Sequence, residues 1–163
     1  MAVELAGRAA ATPTILCIDD NRAGLAIRKL LLEHQGYSVL TAEDGVSGLS
    51  LLERHPVDAV ILDYRMPGMD GDAVAQIIRK EHPGLPIVIL TGYPQNLAVL
   101  ADAVITKGEP VQNLLAALEQ LTGTKPDNTP IRILRAIEEA RKLQEQVKAI
   151  CFETRSATKQ NLI

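Results

Sequence analysis

Five polar residues close apolar runs along this chain, and their types suit chemistry on a phosphoryl group. Thr14–Asp19 (TILCID) ends in acid and is followed by a second acid, Asp20. Val57–Asp63 (VDAVILD) ends in Asp63, Pro86–Leu90 is closed by Thr91, and Ala103–Thr106 is closed by Lys107. Three carboxylates held together repel one another, and desolvation raises the cost of charging them. A hard divalent cation relieves that repulsion. Mg²⁺, which usually takes one or two carboxylates plus waters and phosphate oxygens, suits this set. Lys107 adds a fixed positive charge and Thr91 a hydroxyl. Such groups can cradle the equatorial oxygens of a phosphoryl group while a carboxylate oxygen attacks in line, giving an aspartyl phosphate. Taken singly, each has a plainer reading. The acid pair can cap a helix, Asp63 and Thr91-Gly92 can be turn residues, and Lys107 can be a surface charge. Their weight comes from standing together.

The elements around them say that they do. Asn21–Gln35 has a helical apolar face of Leu25, Ile27, Leu30 and Leu31, and Gly36 ends it. Tyr37–Thr41 reads as a strand, and Asp44 caps a helix reaching Arg54. Asp70 caps a helix over Gly71–Glu81, a short helix follows Pro94, and Glu109–Leu121 is helical. This alternation predicts an α/β fold: a flavodoxin-like, doubly wound five-stranded parallel sheet of order 2-1-3-4-5, with an extra C-terminal helix. In such a sheet the ligand site lies beyond the carboxyl ends of the strands. The first strand delivers Asp19 and Asp20 to that rim, the third Asp63, the fourth Thr91 and the fifth Lys107.

The organisation expected is a flexible leader over 1–13, one domain over 14–121, a linker over 122–129 (TGTKPDNT), and a C-terminal helix with a frayed tail over 130–163. In the last segment Ile133, Ala136, Ala140, Leu143, Val147 and Ile150 form one apolar seam. It can fold back on its own domain or pair with a second copy; a homodimer through the 130–152 helix is the favoured reading. With 47% hydrophobic but only 2% aromatic residues, the core must be aliphatic. Residues 1–123 hold nine Lys+Arg against fifteen Asp+Glu, and 124–163 hold eight against five, within a net charge of −3. The basic tail is interleaved with Glu138, Glu139 and Glu145, so no nucleic-acid surface is expected. No apolar run approaches the ~18 residues of a membrane span. Cys17 and Cys151 have neither metal nor disulfide spacing, and a cytoplasmic protein is expected. His34, His55 and His82 sit at helix ends or in loops, without an assigned role in catalysis.

Asp63-Tyr64-Arg65-Met66-Pro67-Gly68-Met69-Asp70-Gly71, the pair Asp19-Asp20, Thr91-Gly92 and Lys107 together resemble the receiver domains of two-component response regulators, of the stand-alone chemotaxis-regulator type. The resemblance spans Thr14 to Leu121 with the four motifs in order. It implies that Asp63 is the phosphoacceptor, with Lys107 pairing to it and then to the phosphoryl oxygens. Thr91 would be the hydroxyl that moves toward the phosphate. Mg²⁺ would be bound directly by Asp20, Asp63 and the backbone carbonyl of Arg65, with Asp19 acting through water. The donor would be a phosphohistidine on a sensor histidine kinase or a phosphotransfer protein. The protein would be a self-phosphorylating switch with slow autodephosphorylation rather than an enzyme.

Two departures stand out. The family usually has an aromatic residue three before the Lys and a Pro after it; here these are Val104 and Gly108. The aromatic readout therefore differs, and the loop after Lys107 is released from proline's constraint. The resemblance also implies that Arg65 and Tyr93, two residues after the acceptor and after Thr91, flank the path of the hydrolytic water, where a basic and a bulky residue would slow or redirect dephosphorylation. No usual output domain fits after residue 123, so the expected output is a protein contact. The alternative is a phosphorylation-independent scaffold of the same fold. Nothing supplies the substrate pocket or general acid of a phosphatase, and the acidic rim disfavours flavin phosphate.

Overall fold

The computed structural model describes residues 12–92, 100–123 and 137–149. Its strands are β1 (Thr14–Ile18), β2 (Ser38–Ala42), β3 (Ala59–Asp63), β4 (Ile87–Thr91) and β5 (Ala103–Thr106). The helices between and after them are α1 (Arg22–His34), α2 (Gly45–Arg54), α3 (Gly71–Glu81) and α4 (Val111–Thr122). All strands are parallel, in the order β2-β1-β3-β4-β5 predicted from the alternation.

The central strands are continuous aliphatic runs because both faces of the sheet are covered. Every residue of β3 and β4 is buried, and so is β1 after Thr14. One face packs Ile15, Cys17, Ile61 and Val88 against Leu25 and Leu32 of α1 and Leu115 and Leu118 of α4. The other packs Leu16, Ile18, Val60 and Ile89 against Leu52 of α2 and Val74 and Ile78 of α3. Each such side chain contributes about 2 kcal/mol on leaving water.

Caps set the helix starts. Asn21 accepts from the Gly24 N–H at 3.0 Å, Asp44 from Ser47 at 2.7 Å, and Asp70 from Ala73 at 3.1 Å. The acid pair Asp19-Asp20 is thus relieved of the capping task, which Asn21 takes. Some boundaries differ from the pattern. β3 begins at Ala59, not Val57, and β2 at Ser38, because the Tyr37 N–H is taken by the Leu32 carbonyl of α1 at 3.1 Å. α4 begins at Val111, not Glu109, because Glu109 turns back to hydrogen-bond Thr106.

The helix expected after Pro94 lies outside the described residues, as do 1–11 of the leader, 124–129 of the linker, and 130–136 and 150–163 of the tail. Residues 137–149 are helical. Ala140 there is buried, and Glu139 meets His34 at the end of α1 at 3.0 Å. Within the described residues the tail thus touches its own domain at Glu139. Ile133, Ala136 and Ile150 of that seam lie outside the description. No described helix is long and apolar enough to cross a membrane.

Candidate functional site

Strand register assembles the site. Ile18 pairs with Leu62, so the residues that follow, Asp19 and Asp63, emerge side by side at the carboxyl edge. Thr91 ends β4 opposite Thr106 of β5, and its carbonyl accepts the Lys107 N–H at 2.7 Å. Asp19, Asp63 and Thr91 are buried, while Asp20 faces solvent. Carboxylate oxygens of Asp19, Asp20 and Asp63 lie within 4.8 Å of one another. Lys107 Nζ reaches Asp63 Oδ1 at 2.8 Å and Asp19 Oδ2 at 3.8 Å. Four of the five strand-end residues therefore meet through these carboxylates and the ammonium, and Thr91 stands beside them at the adjoining strand end.

Burial pushes the Asp63 carboxyl above the usual carboxylate range. The Lys107 hydrogen bond opposes the shift, the Asp19 charge adds to it, and the Lys107 charge and the Arg65 backbone N–H oppose it. The cluster thus carries a costly charge at Asp63 even with Lys107 paired to it. Its donors are hard oxygens, one of them open to water, which fits a hydrated divalent cation such as Mg²⁺. Arg65 follows the acceptor in an exposed loop. Tyr93 lies outside the described residues.

The acceptor loop is closed by Gly71. Its N–H donates to the Tyr64 carbonyl at 2.9 Å. A Cβ at Gly71 would stand 2.6 Å from the Asp63 carbonyl oxygen and 2.8 Å from Tyr64 Cα, both backbone. Only glycine lets α3 begin this close to the acceptor. After Lys107 the chain turns through Gly108 at φ +100°, a conformation closed to proline. Glu109 secures the turn: Oε1 accepts from the Thr106 N–H at 2.9 Å and Oε2 from Asn113 at 2.7 Å. Val104 is half-buried against the layer under α2 and α3.

One residue escaped the sequence reading. Arg28 of α1 donates from Nη2 to Asp19 Oδ2 at 3.2 Å. A signal was present: Arg28 falls between Leu25 and Leu32 at three and four residues, on the buried stripe of α1, where a charge needs a partner. Cys17, beneath the site, is fully buried and its thiol is pushed up to about 12, so it is an inert core residue.

Comparison with known proteins agrees with this geometry. The response regulator receiver domain family matches residues 15–119. The transcriptional regulatory protein GlrR of Escherichia coli K12 is 33% identical over 162 residues, covering 88% of this chain and 36% of GlrR. The response regulator MprA of a Mycobacterium strain (KMS) is 37% identical over 71% of this chain and 54% of its own length. The chain thus spans between about a third and about half of these curated relatives. Among solved structures, the response regulator protein TrrA of Thermotoga maritima, in complex with Mg²⁺-BeF, is 32% identical. It matches with a TM-score of 0.64 over 68% of this chain and 99% of its own.

Proposed function

The chain belongs to the response regulator receiver family, and from that premise we propose that Asp63 accepts a phosphoryl group from a phosphohistidine in a Mg²⁺-dependent step. The observation that carries this reading is Lys107 at 2.8 Å from Asp63, within a set of three carboxylates converging to 4.8 Å. Mg²⁺ would be held by Asp20, Asp63 and the Arg65 backbone carbonyl, with Asp19 engaged through water. The bound ion would offset charge on the carboxylates and on the phosphoryl oxygens. TrrA, similar over nearly its whole length, is described in complex with Mg²⁺-BeF.

The residues would act as follows. The Asp63 oxygen that Lys107 does not hold attacks phosphorus as the P–N bond to the donor histidine breaks, and the imidazole leaves with the bonding pair. Lys107, already on Asp63, moves its hydrogen bond to a phosphoryl oxygen, and the Thr91 hydroxyl donates to another. Catalysis here is positioning and charge stabilisation, with no general acid required of the chain. Donor and output are protein partners: a sensor histidine kinase or phosphotransfer protein upstream, and a protein contact downstream. A homodimer through the 130–152 helix is one form that contact can take. The setting would be cytoplasmic, without nucleic-acid or membrane binding by this domain. A phosphorylation-independent scaffold is the second reading, favoured by Val104 and by Gly108 at φ +100° where the family usually has an aromatic and a Pro.

The test is intact-protein mass spectrometry with Mg²⁺ and acetyl phosphate. Wild type should gain one phosphoryl group and Asp63→Asn none. A folded wild type that stays unmodified, with a phosphohistidine donor as well, leaves the scaffold reading. In the same assay Arg65→Ala should shorten the phosphoryl half-life about threefold, consistent with a basic side chain hindering the hydrolytic water.

A further inference from the structure

Arg28 is unusual ground for an arginine. Its side chain is only 14% exposed, on the buried stripe of α1, and the carboxylate it meets, Asp19, is 2% exposed. Both Asp19 oxygens are taken by the protein: Oδ1 accepts the Asn21 N–H at 2.9 Å, and Oδ2 faces Arg28 at 3.2 Å and Lys107 at 3.8 Å. The hold on Arg28 is one-sided. Nη1 is buried without a hydrogen-bond partner, so the guanidinium is fastened to Asp19 by Nη2 alone rather than by a bidentate fork. Beside it lies a cavity of about 340 Å³ between α1, β5 and α4, lined by Ile27, Arg28, Leu31, Lys107 and Val111 among others. The single hydrogen bond and the open volume beside it leave the guanidinium room to shift once an opposing charge arrives at Asp19.

We propose that Arg28 is a resident counter-charge that competes with the divalent cation for the acidic site. In the metal-free protein it neutralises Asp19 and keeps three carboxylates compatible with the fold. When the cation binds, like charges are brought together, and the guanidinium withdraws from Asp19 toward the cavity. Arg28 thereby sets the cation concentration at which the site is loaded. It touches neither phosphoryl group nor acceptor, and acts as a positioning residue through Asp19. The inference rests on the divalent-cation site proposed above.

The experiment is calorimetric titration of the full chain with MgCl₂, and with MnCl₂ as a second probe, for wild type, Arg28→Gln, Arg28→Met and Arg28→Lys, each checked for folding by circular dichroism. Removing one positive charge near a doubly charged ion should tighten binding about fivefold in Arg28→Gln and Arg28→Met. Arg28→Lys, which keeps the charge, should stay within about twofold of wild type, an outcome that a purely packing role would not produce. Metal affinity in a folded neutral variant equal to wild type overturns the inference and leaves the cation site standing. No binding by wild type or any variant overturns both. If neither neutral variant folds, wild type decides by NMR. The Arg28 Nε–H resonance, assigned by its loss in Arg28→Lys, should shift on the same Mg²⁺ isotherm as the Asp63 amide. A resonance that stays still through that titration overturns the inference.

Discussion

Asp63 does two incompatible things at once: it ends a strand whose every residue is buried, and it carries a charge next to Asp19. Its carboxyl is accordingly harder to ionise than an ordinary aspartate, chiefly because of burial. Replacing it with the isosteric amide removes the desolvation and the repulsion while keeping a hydrogen-bond acceptor for Lys107. Asp63→Asn should therefore raise the unfolding temperature in metal-free buffer at neutral pH, by on the order of 3 °C, as read by thermal denaturation. Saturating Mg²⁺ should narrow the difference, because the ion stabilises only the chain that binds it well. A lower unfolding temperature for Asp63→Asn would mean that the Lys107 pair outweighs burial. Arg28 belongs to the same balance, since a buried charge is tolerated only beside an opposite one.

The elements hold these residues through a few close approaches. α3 begins against the acceptor loop only because Gly71 has no Cβ. Gly71→Ala should push α3 away from Tyr64, cost about 2 kcal/mol in urea unfolding, and slow phosphorylation of Asp63 more than it weakens Mg²⁺ binding. At the other end of the sheet, Arg79 of α3 clamps the start of β4 to the approach to β5. It donates to the Leu85 carbonyl at 2.8 Å and the Leu100 carbonyl at 3.1 Å, and pairs with Asp102 at 2.6 Å. Asp102 in turn accepts the Ile87 N–H at 2.8 Å. Partial burial works to raise the Asp102 carboxyl, but the hydrogen bonds from Arg79 and Ile87 and the Arg79 charge outweigh it, so the group is more acidic than usual. A carboxylate with a lowered folded pKa adds stability that is complete above its unfolded pKa of about 3.9 and is lost as pH falls through the folded one. Asp102→Asn should thus cost about 1 kcal/mol at neutral pH, a value discounted for the partial exposure of the pair. Denaturation curves of the two proteins should converge as pH drops below about 4. A gap that persists there would assign the loss to geometry rather than charge.

Across the whole molecule, the acidic body and the more basic tail meet at one described point, Glu139 on His34. That pair is half-exposed and is worth only about 0.5 kcal/mol. Ala140 is buried beside it, whereas Leu143 and Val147 of the same stripe are only half-buried. Apolar surface thus remains on the stripe at Leu143 and Val147. Glu139→Ala should leave the unfolding temperature of the domain within about 1 °C of wild type, yet raise amide exchange over residues 137–149 about twofold. Sedimentation of the same variant tests the dimer: a larger dimer fraction would show that docking on α1 and pairing with a second copy compete for one face.

The strands and helices were legible in the sequence because central parallel strands must be continuous aliphatic runs and helices must show a three-to-four spacing, and the order came from the doubly wound fold that five such repeats suit. Asp19, Asp63 and Thr91 were legible for a related reason: each is the first polar residue after an apolar run, and Lys107 follows one Thr later, so each must surface at the carboxyl edge. Tertiary structure alone decided what these side chains touch. That Asn21 rather than the acid pair caps α1 and that Glu109 leaves its helix to hold the turn at Gly108 are local choices over three residues, and that Arg79 finds Asp102 is a long-range one over 23; none has a periodic signature. Arg28 lies between the two cases. Its place on a buried stripe was written in the spacing of Leu25 and Leu32, but its partner was supplied by a strand that only the folded sheet brings within 3.2 Å.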